Sequence, residues 1–241
     1  MQLPEVVTRL SQQSSPSSPL YLVGGAVRDS LISKPCSDFD FVCHSDSEKI
    51  ARIFADENRG AFFVLDAVRK TYRVLVNTPA STHTMFDFAA MRGDDIREDL
   101  SLRDFSINAM AVDLLKPEVV IDPFKGGRDL QQKWLRPVSQ TSLLDDPLRT
   151  IRAIRYAVAL DLKIEPGTSA LITRAVPQLA LVSPERKRDE VFKILSGNHV
   201  HLSLQLLKHF DVFRYIPIII ASAFPALVTH ARALEDMIDW L

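Results

Sequence analysis

Residues 22–42 read LVGGAVRDSLISKPCSDFDFV, and no other stretch limits the fold so sharply. An apolar run enters two glycines, a helix-like AVRDSLI follows, and DFDFVC then alternates with the period of two that marks a strand. Strand, glycine turn, helix, strand is an α/β order. In the second strand the alternation sends Phe39 and Phe41 to the core and Asp38 and Asp40 to the opposite face. Gly24 and Gly25 let backbone N–H groups approach an anion closely, and the helix start adds favourable partial charge. Arg28, in the first turn of that helix, supplies a guanidinium able to grip phosphate oxygens through two bonds at once. The spacing is neither G-x-G-x-x-G nor a P-loop, which disfavours both common nucleotide folds.

Two carboxylates two residues apart on one strand face have the spacing to share divalent cations. Two oxygen-coordinated ions roughly 3.5–4 Å apart suit in-line phosphoryl transfer, one activating the attacking oxygen and the other steadying the leaving pyrophosphate. A third carboxylate normally helps, and Asp87 in MFDFA, again on an alternating strand, is the candidate. Taken singly, the glycine pair reads as an ordinary turn and the aspartates as solvent-facing strand residues. In order, and separated by one helix, they read as a triphosphate site beside a metal-binding pair.

At 241 residues and 46% hydrophobic content, the chain can bury one large core or two small ones. Its 29 Lys and Arg against 30 Asp and Glu leave a net charge of −1, so a polyanionic partner must be held by a local basic surface. Cys36 and Cys43 form neither a zinc spacing nor a disulfide scaffold, which points to a reducing compartment, with the cytoplasm as the default. The start, MQLPEVVTRL, lacks a signal-peptide pattern, and IPIIIASAFPALV (216–228) is too short to span a bilayer and holds two prolines. No membrane role is expected.

SQQSSPSSP (11–19) reads as a linker from a short N-terminal helix to the first strand. SEKIARIFADENRG has helical spacing and ends at Gly60, AFFVLD and TYRVLVN form a hairpin, and TMFDFAAM (84–91) is a further strand. INAMAVDLL and EVVIDPF bring the chain to the Gly126 and Gly127 turn. From about Leu143 the pattern is helical, with Pro and Gly stops between segments, so a domain boundary is expected near 137–143.

Several motifs in this order resemble the class II tRNA nucleotidyltransferase and bacterial poly(A) polymerase branch of the polymerase-β superfamily, over about 20–195. LVGGAVRDSL with DFD resembles its first motif, LRDFSINAMA (102–111) its second, DPFKGGRDL (122–130) its third and DDPLRTIRAIRY (145–156) its fourth; SPERKRDEVFKIL (183–195) resembles the helix that follows. The resemblance implies an α/β nucleotidyltransferase head, a mixed sheet with helices over 20–140, after an N-terminal segment at 1–19. An all-helical neck at 141–198 and the start of a helical body at 199–241 would follow, and since family members carry further body and tail domains the chain reads as truncated. It also implies that Asp38 and Asp40 hold magnesium (Mg2+), that Gly24, Gly25 and Arg28 bind the phosphates, and that Arg103, Asp104 and Asn108 contact the same nucleotide. Asp146 and Arg149 would hydrogen-bond the base edge, so that protein acts as template, with Arg152 and Arg155 as further contacts. The implied reaction adds C, A or both from CTP and ATP to the 3′ end of tRNA. Poly(A) polymerase, specialised CC-adding or A-adding enzymes and an inactive RNA-binding remnant are the alternatives, and the oligomeric state is left open. RGAFFVLDAVRKTYRVLV stands where bacterial poly(A) polymerases carry a basic Gly-Arg-Arg-Phe-like stretch, which favours tRNA. Asp145, Leu102 and Ser33 depart from the family's usual Glu, Arg and Gly.

Arg149, Arg152 and Arg155 recur every third residue along one broad helix face, leaving Ile151 and Ile154 to pack. Asp146 before Pro147 also reads as an N-cap with proline at the first helical position. ERKRDE reads equally as an exposed helix face or a tRNA-backbone contact. The six histidines show no ligand spacing, RGD at 92–94 reads as a loop, and Asp122 and Asp129 read as structural hydrogen-bond partners.

Overall fold

The structure, a computed structural model, describes residues 5–44, 46–78 and 81–216; of the apolar stretch 216–228 only Ile216 falls within them. Among the described residues no helix is long and apolar enough to cross a membrane. The chain divides between Gly127 and Arg128 into two compact units.

The first unit opens with α1 (Glu5–Leu10), which buries Val7 and Leu10, and then builds β1 (Leu20–Val23), α2 (Gly25–Leu31), β2 (Asp38–Cys43) and α3 (Ser47–Asn58). The antiparallel hairpin of β3 (Ala61–Asp66) and β4 (Thr71–Thr78) follows as expected, then β5 (Ser81–Ala90), α4 (Ile96–Ser101), β6 (Ala111–Asp113) and β7 (Val120–Ile121). Among the described residues these strands form one mixed sheet in the order β3-β4-β5-β2-β1-β6-β7, in which β2 and β5 run parallel and the other neighbours antiparallel. The parallel register sets Phe39 beside Phe86 and Phe41 beside Phe88, with ring centroids 5.4 and 5.2 Å apart. Phe54 of α3 tilts onto Phe86 and Phe88, so the buried face of the sheet is an aromatic layer. The pleat is in phase across a parallel pair, so the same register carries Asp38, Asp40 and Asp87 on the other face.

Asp46 caps α3 by accepting from the Glu48 and Lys49 N–H groups at 3.1 and 3.2 Å, an arrangement worth about 1 kcal/mol. At the other end Arg59, not Gly60, takes the left-handed conformation (φ 52°). Gly60 serves packing instead: a Cβ there would stand 2.7 Å from Val74 Cγ1.

In the second unit α5 (Gly126–Gln131), which straddles the division, leads to β8 (Trp134–Leu135), α6 (Ser142–Asp145), α7 (Arg149–Ala159), β9 (Lys163–Ile164), α8 (Pro166–Ala175), α9 (Pro184–Leu195) and α10 (Val200–His209). The mainly helical character expected past Leu143 is present. β8 pairs in parallel with β9, which ties residues ahead of the expected 137–143 boundary to the helical unit. α7 buries Ile151, Ile154 and Ala157 and packs on α9 and α10. α8 and α9 each carry proline at the first turn and a side-chain cap, Glu165 and Ser183 respectively.

Candidate nucleotide and metal site

In the first unit, β1 ends in antiparallel register with β2, Val23 opposite Asp40, so the glycine turn emerges beside that carboxylate. Gly24 has φ 72° and ψ −128°, which only glycine adopts without strain. A Cβ on it would stand 3.0 Å from Arg103 Nη1 and 3.6 Å from Asp40 Oδ2. The first and second motifs therefore meet at Gly24, with Arg103 beside Asp40. Arg28 is buried, donating from Nη1 to Asn108 Oδ1 at 2.5 Å and from Nε to Asp29 Oδ1 at 2.8 Å. Asn108 donates in turn to Asp104 Oδ1 at 3.1 Å, which also accepts the Phe105 N–H at 2.8 Å. Asp104 and Asn108 are thus a buried support for the Arg28 guanidinium. Asp122 accepts from the Gly126 and Gly127 N–H groups at 2.7 and 3.0 Å and Asp129 pairs with Arg136, the structural roles expected of both.

Asp40 retains accessible surface, yet enough protein surrounds it that lost hydration pushes its carboxyl up to about 6; Arg103 pulls it down, and Asp87 and Asp38 push it further up. Burial also raises Asp38, with Arg73 opposing and Asp87 adding to the rise. Mutual repulsion among hard oxygen donors is the electrostatic condition that a bound divalent cation relieves, so Asp38 and Asp40 fit one. Asp87 differs. Arg73, opposite it on β4, donates from Nε and Nη2 to its two carboxylate oxygens, both at 2.8 Å. Among the described residues no three His, Cys, Asp or Glu side chains converge as a metal-binding group. Magnesium commonly sits on one or two carboxylates plus substrate phosphates, which a pair can supply.

In the second unit, α7 begins at Arg149 with Leu148 at its N-cap and no side-chain cap, so the expected Asp146 cap with Pro147 at the first helical position does not form. Asp146 instead accepts the Leu148 N–H at 3.3 Å, and its other oxygen accepts from Arg186 Nη2 at 2.8 Å. Arg149 Nη1 donates to Ser142 Oγ at 2.7 Å and to the Ser142 carbonyl at 3.2 Å. Arg152 and Arg155 share the α7 face as expected and reach Glu190 of α9 at 3.5 and 3.0 Å, with Lys193 on the same carboxylate at 2.9 Å. Both guanidinium groups also lie over Tyr156.

Glu190, Asp29, Arg73 and Asp99 are absent from the sequence reading of the site. Lys187, Glu190, Val191 and Ile194 recur at i, i+3, i+4 and i+7 and form the buried face of α9, so counting back from Val191 and Ile194 would have separated Glu190 from the exposed charges of ERKRDE. Asp99 stands four residues before Arg103, the spacing of a helical ion pair. Its burial would raise its carboxyl, but Arg92 and Arg103 outweigh that and hold it below the usual range. Arg73 is visible only once strand register is known.

Residues 20–136 match the poly A polymerase head domain, and residues 161–222 match the region described as a probable RNA and SrmB-binding site of polymerase A. The chain is 39% identical over 197 residues to a CC-adding tRNA nucleotidyltransferase of Geobacter sulfurreducens, covering 82% of this chain and 44% of that protein. It is 34% identical over 210 residues to a CCA-adding enzyme of Leuconostoc citreum, covering 82% and 50%. A solved complex of a CCA-adding enzyme with ATP superposes with a TM-score of 0.75 at 31% identity, over 87% of this chain and 51% of that one. The chain spans about half the length of the relatives it matches.

Proposed function

Because the chain belongs to the class II tRNA nucleotidyltransferase and bacterial poly(A) polymerase family, we propose that it joins nucleotides from CTP, ATP or both to the 3′ end of tRNA. The observation that carries this reading is the convergence of Gly24, Arg103 and Asp40, with Asp38 on the same strand face. The acceptor's 3′ oxygen attacks the α-phosphorus, the bond from that phosphorus to the bridging oxygen breaks, and pyrophosphate leaves with its charge. Asp38 and Asp40 would hold magnesium, which when bound supplies a more nucleophilic attacking oxygen and charge neutralisation at the leaving group, the reason for reading a two-metal centre. Arg28 and Arg103 grip the phosphates, Gly24 and Gly25 leave room for them, and Asp104 and Asn108 keep Arg28 aligned. Asp146 and Arg149 meet the base edge, and Arg152 and Arg155 line the nucleotide from the same helix. A tRNA partner makes the cytoplasm the place of work.

The higher identity to the CC-adding relative, 39% against 34% for the CCA-adding one, favours a second, narrower reading in which addition stops at CC. One experiment separates these. Supply tRNA ending at the discriminator base, at CC and at CCA, with CTP, ATP, UTP and GTP singly and together, and read the 3′ ends. CTP then ATP incorporation marks CCA addition, arrest after two C residues the narrower reading, and dependence on a CC end an A-adding enzyme. Run-on past CCA marks a poly(A) polymerase. No incorporation in any arm leaves the RNA-binding remnant and overturns the proposal.

A further inference from the structure

Asp99 on α4 is 1% exposed, and its carboxylate faces two arginines. Oδ1 accepts from the Arg92 backbone N–H at 3.2 Å and from Arg92 Nε at 2.9 Å, while Oδ2 accepts from Arg103 Nε at 3.3 Å and Nη2 at 3.2 Å. Two of the three Arg103 guanidinium nitrogens are therefore held from one side. The third, Nη1, is the atom that stands 3.0 Å from the place of a Gly24 Cβ, at the glycine turn and close to Asp40. A long arginine left to itself loses rotamer freedom when a ligand fixes it; a planar fork already fixed by a buried carboxylate does not lose it again. The Arg92 side chain, half exposed, shares Asp99, its Nη2 also donating to the Asp99 carbonyl at 3.2 Å and to Oδ2 at 3.5 Å, and it springs from the loop before α4.

We propose that Asp99 is a positioning residue that presents Arg103 to the phosphates of the incoming nucleotide. The inference rests on the nucleotidyltransferase reading above, and it adds a residue that lies outside the LRDFSINAMA motif. Asp99 acts only through Arg103. Its removal should weaken the binding of a triphosphate while leaving a monophosphate, which offers the guanidinium far less charge, largely unaffected.

The test compares dissociation constants for CTP and CMP in wild type, Asp99→Asn, Arg92→Ala, Arg103→Lys and the Asp99→Asn/Arg103→Lys double variant. Asp99→Asn should weaken CTP about tenfold, as expected for losing preorganisation of one charged contact, with CMP unchanged. Arg103→Lys keeps the charge but loses the two-point hold, so it should match Asp99→Asn, and the double variant should fall no further. Arg92→Ala should bind CTP as wild type does. Unchanged CTP affinity in Asp99→Asn overturns the proposal, as does an equal loss for CMP, or an Arg92→Ala variant that reproduces the loss and so makes Asp99 a loop brace. Should Asp99→Asn not fold, Arg103→Lys decides alone, wild-type CTP affinity there being the overturning result. Wild-type protein that binds no CTP sinks the nucleotidyltransferase reading itself, and this inference with it.

Discussion

Asp38 and Asp40 owe their shared face to strand alternation, and the same alternation that buries Phe39 and Phe41 leaves the two carboxylates together. Replacing either by alanine should lower nucleotide incorporation by at least about 10²–10³-fold, because phosphoryl transfer depends on the charge stabilisation that these carboxylates are proposed to anchor. Circular dichroism and tRNA affinity should stay near wild type. The pH profile carries a second check: with Asp40 pushed up to about 6, acidification through that value protonates the proposed ligand, so on this proposal the magnesium needed for half-maximal turnover should climb as pH falls. Near wild-type turnover in either alanine variant would remove the metal assignment. Asp87 was legible as a third carboxylate from its alternating strand, but its partner Arg73 was not, since pairing across β4 and β5 is set by register. Asp87→Asn should still cut turnover sharply by removing negative charge next to Asp38 and Asp40. Normal turnover with unchanged magnesium dependence would make Asp87 a partner of Arg73 and nothing more.

At the scale of elements, α7 and α9 are joined by Glu190, which gathers Arg152, Arg155 and Lys193 while itself buried. Burial alone would raise its carboxyl, but Arg155, then Lys193 and Arg152, more than offset this and hold it below the usual glutamate value of 4.5. A depressed carboxylate stabilises the fold fully above its unfolded value, and that contribution fades as pH falls through the folded one. The melting temperature should therefore drop as pH is taken below about 4.5. Glu190→Gln should lower stability at neutral pH by about 3 kcal/mol, the low end for breaking a buried ion pair because the arginines keep some solvent, and should flatten the acid limb. An unaltered acid limb in that variant would place the titrating group elsewhere. Elements with strong periodicity or glycine and proline stops were readable in advance, including the β3–β4 hairpin and the helical run beyond Leu143. What escaped reading depends on neighbours distant in sequence. Gly60 stands at the end of α3 as read, its N–H on the Ala55 carbonyl at 2.8 Å, but the space it clears for Val74 was not legible, and the short β8 is held by pairing with β9 rather than by any local pattern.

At the scale of the whole molecule, the carboxylates and the arginines proposed to hold the phosphates lie in one compact unit and the proposed base readers in the other. Chemistry and choice should therefore be separable by mutation. Asp146 and Arg149 are placed by contacts within their own unit, Asp146 by the Leu148 N–H and Arg186, Arg149 by Ser142. Those contacts keep donors and acceptors fixed in place, the condition under which a hydrogen-bonding site rejects a mismatched base by leaving its own groups unpaired. Asp146→Ala and Arg149→Ala should retain magnesium-dependent incorporation, since both residues belong to the unit that does not hold Asp38 and Asp40. Both should lose discrimination against UTP and GTP, by about tenfold or more for each hydrogen-bonding group removed. Single-nucleotide incorporation with all four triphosphates, read as kcat/KM ratios, measures this directly. Wild-type ratios in both variants would leave Asp146 as a partner of Arg186 and the Leu148 N–H, and Arg149 as a brace on Ser142, and selectivity would have to be sought outside the fourth motif. Loss of all incorporation, with the ratios therefore unmeasurable, would instead show that the two tasks are not divided between the units.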